Sequence, residues 1–336
     1  MPAWTDKPHI FSFISMLRLH TFPTLLITIL MGWLSANDAQ AENDKRIVLI
    51  AGPPSHGVLQ HEHKAGCMLI EHCLQGRPGI ELKVYTGGWP ENPDALEGAD
   101  AVIIFCTGGK NHLAIQENRL AQLEKVMQTG AGFGCLHYGV EVPKDQGGAE
   151  FLKWMGGYFE THWSVNPHWQ AEFKAFPEHP ISNGVKPFGV NDEWYFHMRF
   201  PEGMEGVTPI LSAHPPKETM KRGDGPHSGN PAVREAVAQG QPQHVAWAYE
   251  RPEGGRGFGF TGLHNHLNWR NPSFRKVILN AVLWIAQAEV PSNGVDCPLT
   301  EEMILSNLDQ KRGRNPLEVL RDARKNQPFL SPVQGK

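Results

Sequence analysis

Two unbroken apolar runs set the tightest limit on what this chain can fold into. Residues 47–51 and 101–106 contain no polar side chain. A strand with one wet face alternates polar and apolar residues, whereas a continuous run needs cover on both faces. A sheet with helices on either side meets that need. Apolar residues follow the first run at helical spacing (Cys67, Leu69, Ile70, Leu74) and recur so across 117–127, while 80–85 alternates like a strand nearer an edge. Residues 130–136 form a glycine-rich strand running into His137-Tyr138-Gly139. The order strand, helix, strand, strand, helix, strand gives βαβ units and an open, mostly parallel α/β sheet. Further strands are expected at 171–176, 207–211, 244–249 and 257–262. The strongest amphipathic helix is expected at 274–286.

Residues 1–41 read as a secretory signal peptide and not as fold. An apolar stretch at 21–33 follows Arg18 and His20, and Ala39-Gln40-Ala41 supplies a small-residue cleavage site. The stretch is too short to cross a bilayer comfortably. The expectation is an exported protein, periplasmic or extracellular, with no stable membrane insertion after cleavage. The remainder divides into an α/β domain at 45–289, interrupted by a polar insertion at about 215–243, and a C-terminal helical extension at 290–336. The insertion reads equally as a lid or as a surface excursion, with a short helix at 232–238. Five cysteines are too few and odd in number for a disulfide scaffold. Cys67 and Cys73 read as small buried apolar residues. A net charge of -4 without a long basic tract argues against nucleic-acid partners.

Histidine is abundant, with 17 residues, and its distribution carries the functional signal. In open α/β sheets ligands bind beyond the carboxyl ends of the strands. There stand Ser55-His56-Gly57 and His61-Glu62-His63, then Thr107 to His112, then His137 to Glu141, and later Thr261 to His266. Neutral imidazoles ligate transition metals or shuttle protons. The candidate metal set is His61, His63, His137, His264 and His266, for a divalent ion such as zinc; no nucleotide cofactor is expected. Structural or solvent-facing histidines are the competing reading. His61 and His63 share a face only in extended chain, since a helix would splay them. Glu141, Asp192 and Glu193 could serve as ligand, as orienter of a ligand, or as general base. Adjacent carboxylates on a strand point oppositely, so one of Asp192 and Glu193 should face a given site. Trp163, Trp169, Tyr195 and Trp269 could line a sugar-binding cleft or fill the core. At the glycine-rich elbow Cys135 reads as buried and His137 as the exposed tip.

Several ordered motifs resemble the trehalose-utilisation, or ThuA-like, domain family. They are Gly134-Cys135-Leu136-His137, Gly156-Gly157-Tyr158-Phe159-x-x-His162, His179-Pro180-Ile181, Asp192-Glu193-Trp194-Tyr195, the run from Ala246-Trp247 to Gly262-Leu263-His264, and Asn271-Pro272-x-Phe274. The resemblance implies a flavodoxin-like fold related to class I glutamine amidotransferases. In those enzymes a cysteine occupies the elbow, and a histidine followed two residues on by glutamate completes the triad. Here His137 stands at the elbow, His264 at the triad histidine and His266 at the glutamate position, so thiol-based amidotransfer is not expected. The family's association with sugar catabolism, including 3-keto derivatives of glucosides, implies a small carbohydrate substrate. The expected function is metal-assisted isomerisation, elimination or hydrolysis of such a sugar, with His137, Glu141, Asp192, Glu193 and His264 as catalytic candidates. A non-catalytic sugar-binding or extracellular interaction module is the alternative.

Overall fold

The apolar runs become the centre of a seven-stranded sheet. The computed structural model describes residues 44–313 and 315–326; the signal-peptide reading of 1–41 lies outside the described residues. Strands β1 (Lys45–Ala51), β2 (Ile80–Tyr85), β3 (Ala101–Phe105), β4 (Gly132–Leu136), β7 (Val207–Ala213), β8 (Gln243–Glu250) and β9 (Arg256–Phe260) assemble in the order β2-β1-β3-β4-β9-β8-β7. The first five in that order are parallel, and β8 and β7 add antiparallel at one edge. The result is an α/β architecture with a mixed, mostly parallel sheet flanked by helices.

Strand pleating explains why β1 and β3 lack polar residues. Ile47, Leu49, Ile103 and Phe105 enter one apolar core, while Val48, Ile50, Val102 and Ile104 enter the other. Helices α1 (His63–Leu74) and α5 (Pro272–Ile285) cover the first face. Helices α2 (Arg119–Met127) and α3 (Gly148–Met155) cover the second. At the start of α5 the Asn271 side chain accepts from Ser273 and Phe274 backbone N–H groups, with Pro272 at the first turn.

A separate antiparallel ribbon pairs β5 (His168–Phe173) with β6 (Phe188–Glu193). The strand expected at 171–176 therefore begins three residues earlier. Its bounds are set by pairing, with His168 opposite Glu193 and Phe173 opposite Phe188. β6 carries Gly189, Asn191 and Asp192, poor strand formers that the ribbon holds in place.

The insertion contains α4 (Pro231–Ala238), capped by Asn230, whose side chain accepts from Val233 N–H at 3.0 Å. The C-terminal extension contains α6 (Glu301–Leu305) and α7 (Pro316–Asn326). Cys73 corrects its sequence reading: it forms a disulfide with Cys297, with the Cα atoms 5.4 Å apart, and so ties α1 to the extension. Cys67, Cys106 and Cys135 are free and buried. Among the described residues no helix is long and apolar enough to cross a membrane.

Candidate metal centre

Three loops at the carboxyl ends of strands, together with the end of the β5–β6 ribbon, converge on one point. The first is the elbow after β4, where the chain turns sharply and His137 takes φ = 51°. Such a left-handed conformation is costly for a residue with a Cβ and persists where surrounding contacts over-determine it. Here His137 Nδ1 lies 2.8 Å from the Thr261 carbonyl oxygen. That contact places the proton on Nδ1 and leaves the Nε2 lone pair facing the site.

His61 arrives from the loop between β1 and α1, also left-handed at φ = 46°. Its Nε2 sits 3.1 Å from His137 Nε2 and 2.9 Å from His264 Nδ1. His264 comes from the loop after β9, and its Nδ1 lies 3.1 Å from Glu193 Oε2. Glu193 closes the group from the end of β6, 3.7 Å from His137 Nε2. One ligand atom from each of His61, His137, Glu193 and His264 falls within 4.8 Å of every other. Three imidazole nitrogens and one carboxylate oxygen at that separation are compatible with a divalent metal cofactor. The group is largely out of water, since the three histidines are buried and Glu193 is mostly so. Burial drives the pKa values of His61 and His137 far down, and neighbouring imidazoles add to the effect. Both rings are therefore neutral at ordinary pH, the form that ligates metal.

The alternation of β6 separates the two adjacent carboxylates. Glu193 faces the cluster, while Asp192 turns to the opposite side and holds the backbone of the His264 loop. Asp192 accepts from the Leu263 N–H at 2.8 Å, the Asn265 N–H at 3.0 Å and the Asn268 amide at 2.9 Å. In this geometry Asp192 ties down the loop that carries His264.

Two members of the sequence set do not join the cluster. α1 begins at His63, so the helix splays it from His61; its Nδ1 donates to the Pro53 carbonyl at 2.9 Å. His266 opens a 3-10 turn, and its Nε2 donates to the Ile304 carbonyl at 2.7 Å. Burial lowers the pKa of each to about 4. The aromatic candidates divide between the core and the site. Trp169 and Trp269 are core residues, Trp169 because strand alternation turns it inward and Trp269 because it packs near Gly66. Trp163 is half-buried beneath the Arg199 guanidinium, 3.9 Å from its ring. Tyr195 does reach the site: its hydroxyl lies 3.3 Å from both His137 Nε2 and Glu193 Oε2.

Three neighbours lay outside the sequence set of site residues. His56 stacks on His61 with ring centroids 3.6 Å apart. His168, opposite Glu193 in the ribbon, stands edge-on to His264 at 4.6 Å. His227, from the insertion, lies 2.9 Å from Glu141 Oε1, and that partner raises its pKa. Glu141 is buried, and its second oxygen, Oε2, has no hydrogen-bond partner among the described residues. His56 stood in a strand-end motif, but no spacing singled out His227.

The trehalose-utilisation (ThuA) family model matches residues 53–285. Among solved structures, a ThuA-like protein from Bacteroides uniformis shares the fold at a TM-score of 0.53 and 16% identity, over 72% of this chain and 91% of that one. A ThuA-like protein from Parabacteroides merdae aligns at a TM-score of 0.48 and 12% identity, over 76% of this chain and 93% of that one. None of the curated proteins matches the chain. With the family model spanning well over half its length, the chain belongs to the trehalose-utilisation family.

Proposed function

We propose that this protein is an exported, metal-dependent enzyme acting on a sugar or 3-keto-glycoside as an isomerase, lyase or hydrolase. The observation that carries the reading is the convergence of His61, His137, Glu193 and His264 on one buried point. A divalent cation held there would polarise a substrate carbonyl or hydroxyl oxygen as a Lewis acid. The protein's own groups would do the rest. Tyr195 places a hydroxyl against His137 and Glu193, with its pKa driven up by burial so that it stays protonated and can donate. Glu141 and His227 form a second acid-base pair, in which the exposed edge of His227 can take or give a proton.

Strand order and the disulfide support the same reading. The order β2-β1-β3-β4 matches that of flavodoxin-like sheets, and by the resemblance to amidotransferases His137, at the elbow after β4, would stand at the nucleophile position. Cys135, two residues earlier, is fully buried with its thiol pKa pushed up, which disfavours thiolate chemistry. The Cys73–Cys297 disulfide fits an oxidising compartment outside the cytoplasm.

Metal analysis tests the proposal directly. Protein purified without chelator should carry about one equivalent of divalent metal, and His137→Ala or His264→Ala should lose most of it. Less than about 0.2 equivalents in the unaltered protein, with no uptake on titration, would falsify the metal-enzyme reading. A sugar bound and recovered unchanged by metal-loaded protein would favour the sugar-binding module instead.

A further inference from the structure

The C-terminal extension lies outside the segment matched by the family model, yet it reaches the loop that carries His61. Lys311 is the point of contact. Its side chain is buried, and its Nζ donates to the carbonyl oxygens of Gly57 (3.2 Å), Gln60 and His61 (3.3 Å) while pairing with Glu62 Oε1 at 3.1 Å. We infer that Lys311 is a positioning residue of the metal centre, holding the 57–62 loop so that His61 faces His137 and His264. This inference rests on the metal reading proposed above.

The loop needs such a hold. His56, Leu59 and His61 all take left-handed φ angles, at 60°, 63° and 46°. Non-glycine residues keep that conformation only where other contacts enforce it. Lys311 gathers three carbonyls of this turn on one ammonium group. Glu62 completes the arrangement from inside: Oε1 accepts from the Leu59 N–H at 2.7 Å, and Oε2 accepts from the Asp309 N–H at 2.8 Å. The Glu62 side chain is fully buried, and Lys311 is its partner there.

The same extension steadies the second loop. The Ile304 carbonyl accepts from His266 Nε2, and the His266 N–H donates to the Leu59 carbonyl at 2.9 Å. The His61 N–H in turn donates to the His264 carbonyl at 3.1 Å. Two ligand-bearing loops are thus stitched to each other and to a segment about 250 residues from the first of them. The Cys73–Cys297 disulfide anchors the start of that segment to α1.

The test compares zinc affinity, by competition with a chromophoric chelator, and the visible spectrum of the cobalt(II)-loaded protein. The proteins are the unaltered chain, Lys311→Met, Lys311→Arg and the charge-balanced pair Glu62→Gln with Lys311→Met. Lys311→Met should weaken zinc binding about 10- to 100-fold and alter the cobalt ligand-field bands, as loss of groups that orient metal ligands does. Lys311→Arg, which keeps the charge and donors, should recover most of the affinity. The double variant removes the stranded buried carboxylate, so it carries the test even where loss of Lys311 alone costs the fold, and it should show the same weakening. Folded Lys311→Met or double variant with unaltered affinity and cobalt spectrum would overturn this inference alone. An unaltered chain that binds no zinc would overturn the metal reading and this inference together.

Discussion

Glu141 and His227 show how one residue pair near the cluster converts pH into stability. The hydrogen bond and charge of Glu141 raise the pKa of His227 above its ordinary value, against the opposing effect of burial. A group whose folded pKa is raised contributes stability that is full below its unfolded pKa and is lost as pH rises through the folded one. His227→Gln should therefore lower the melting temperature most at about pH 6 and progressively less towards about pH 9. A melting-temperature difference that stays constant across that range would remove the assigned role of the pair. At the cluster itself, sequence reading went further than for this pair. His61, His137 and His264 were legible because strands of an open sheet deliver their C-terminal residues to one edge. Glu193 and Asp192 could be separated by strand alternation but not assigned, since only pairing with β5 shows which face looks inward.

At the level of elements, the central strands owe their close helix packing to glycine. A Cβ on Gly257 of β9 would fall 2.6 Å from both the Trp154 carbonyl oxygen and Met155 Cα at the end of α3. That is backbone, which cannot swing aside as a side chain would. Gly257→Ala should destabilise the fold by about 1–3 kcal/mol, measured by urea unfolding, through displacement of α3 from the sheet. An effect below about 0.5 kcal/mol would mean that α3 yields freely. The strands and helices of the first half were legible because both apolar runs and helical periods are local signals. The ribbon was legible only in part: a strand was expected at β5, whereas β6 lacks strand propensity and exists through its pairing with β5. The boundary of α1 illustrates the same limit. Whether helix begins before or after His63 decides which histidine faces the cluster, and the sequence left both settings open.

Across the whole molecule, the Cys73–Cys297 link spans 224 residues of sequence. Cross-linking so long a loop restricts the unfolded chain, and its loss should cost about 2–5 kcal/mol. Reductant should lower the melting temperature of the unaltered protein and leave that of Cys73→Ser/Cys297→Ser unchanged. An equal response in both would show that the bond does not form in solution. Nothing in an odd set of five cysteines marks this pairing, because it depends on where the extension folds back. The sequence by itself determined the α/β class, the parallel core and the histidine-rich edge, since the burial pattern and the succession of strands and helices along the chain are written in local hydrophobicity. Only tertiary structure decided which histidines meet, that Glu193 completes the group, that Trp169 and Trp269 serve the core, and that Lys311 reaches the His61 loop. Each of these depends on contacts between distant segments, whose partners leave no periodic trace in the chain.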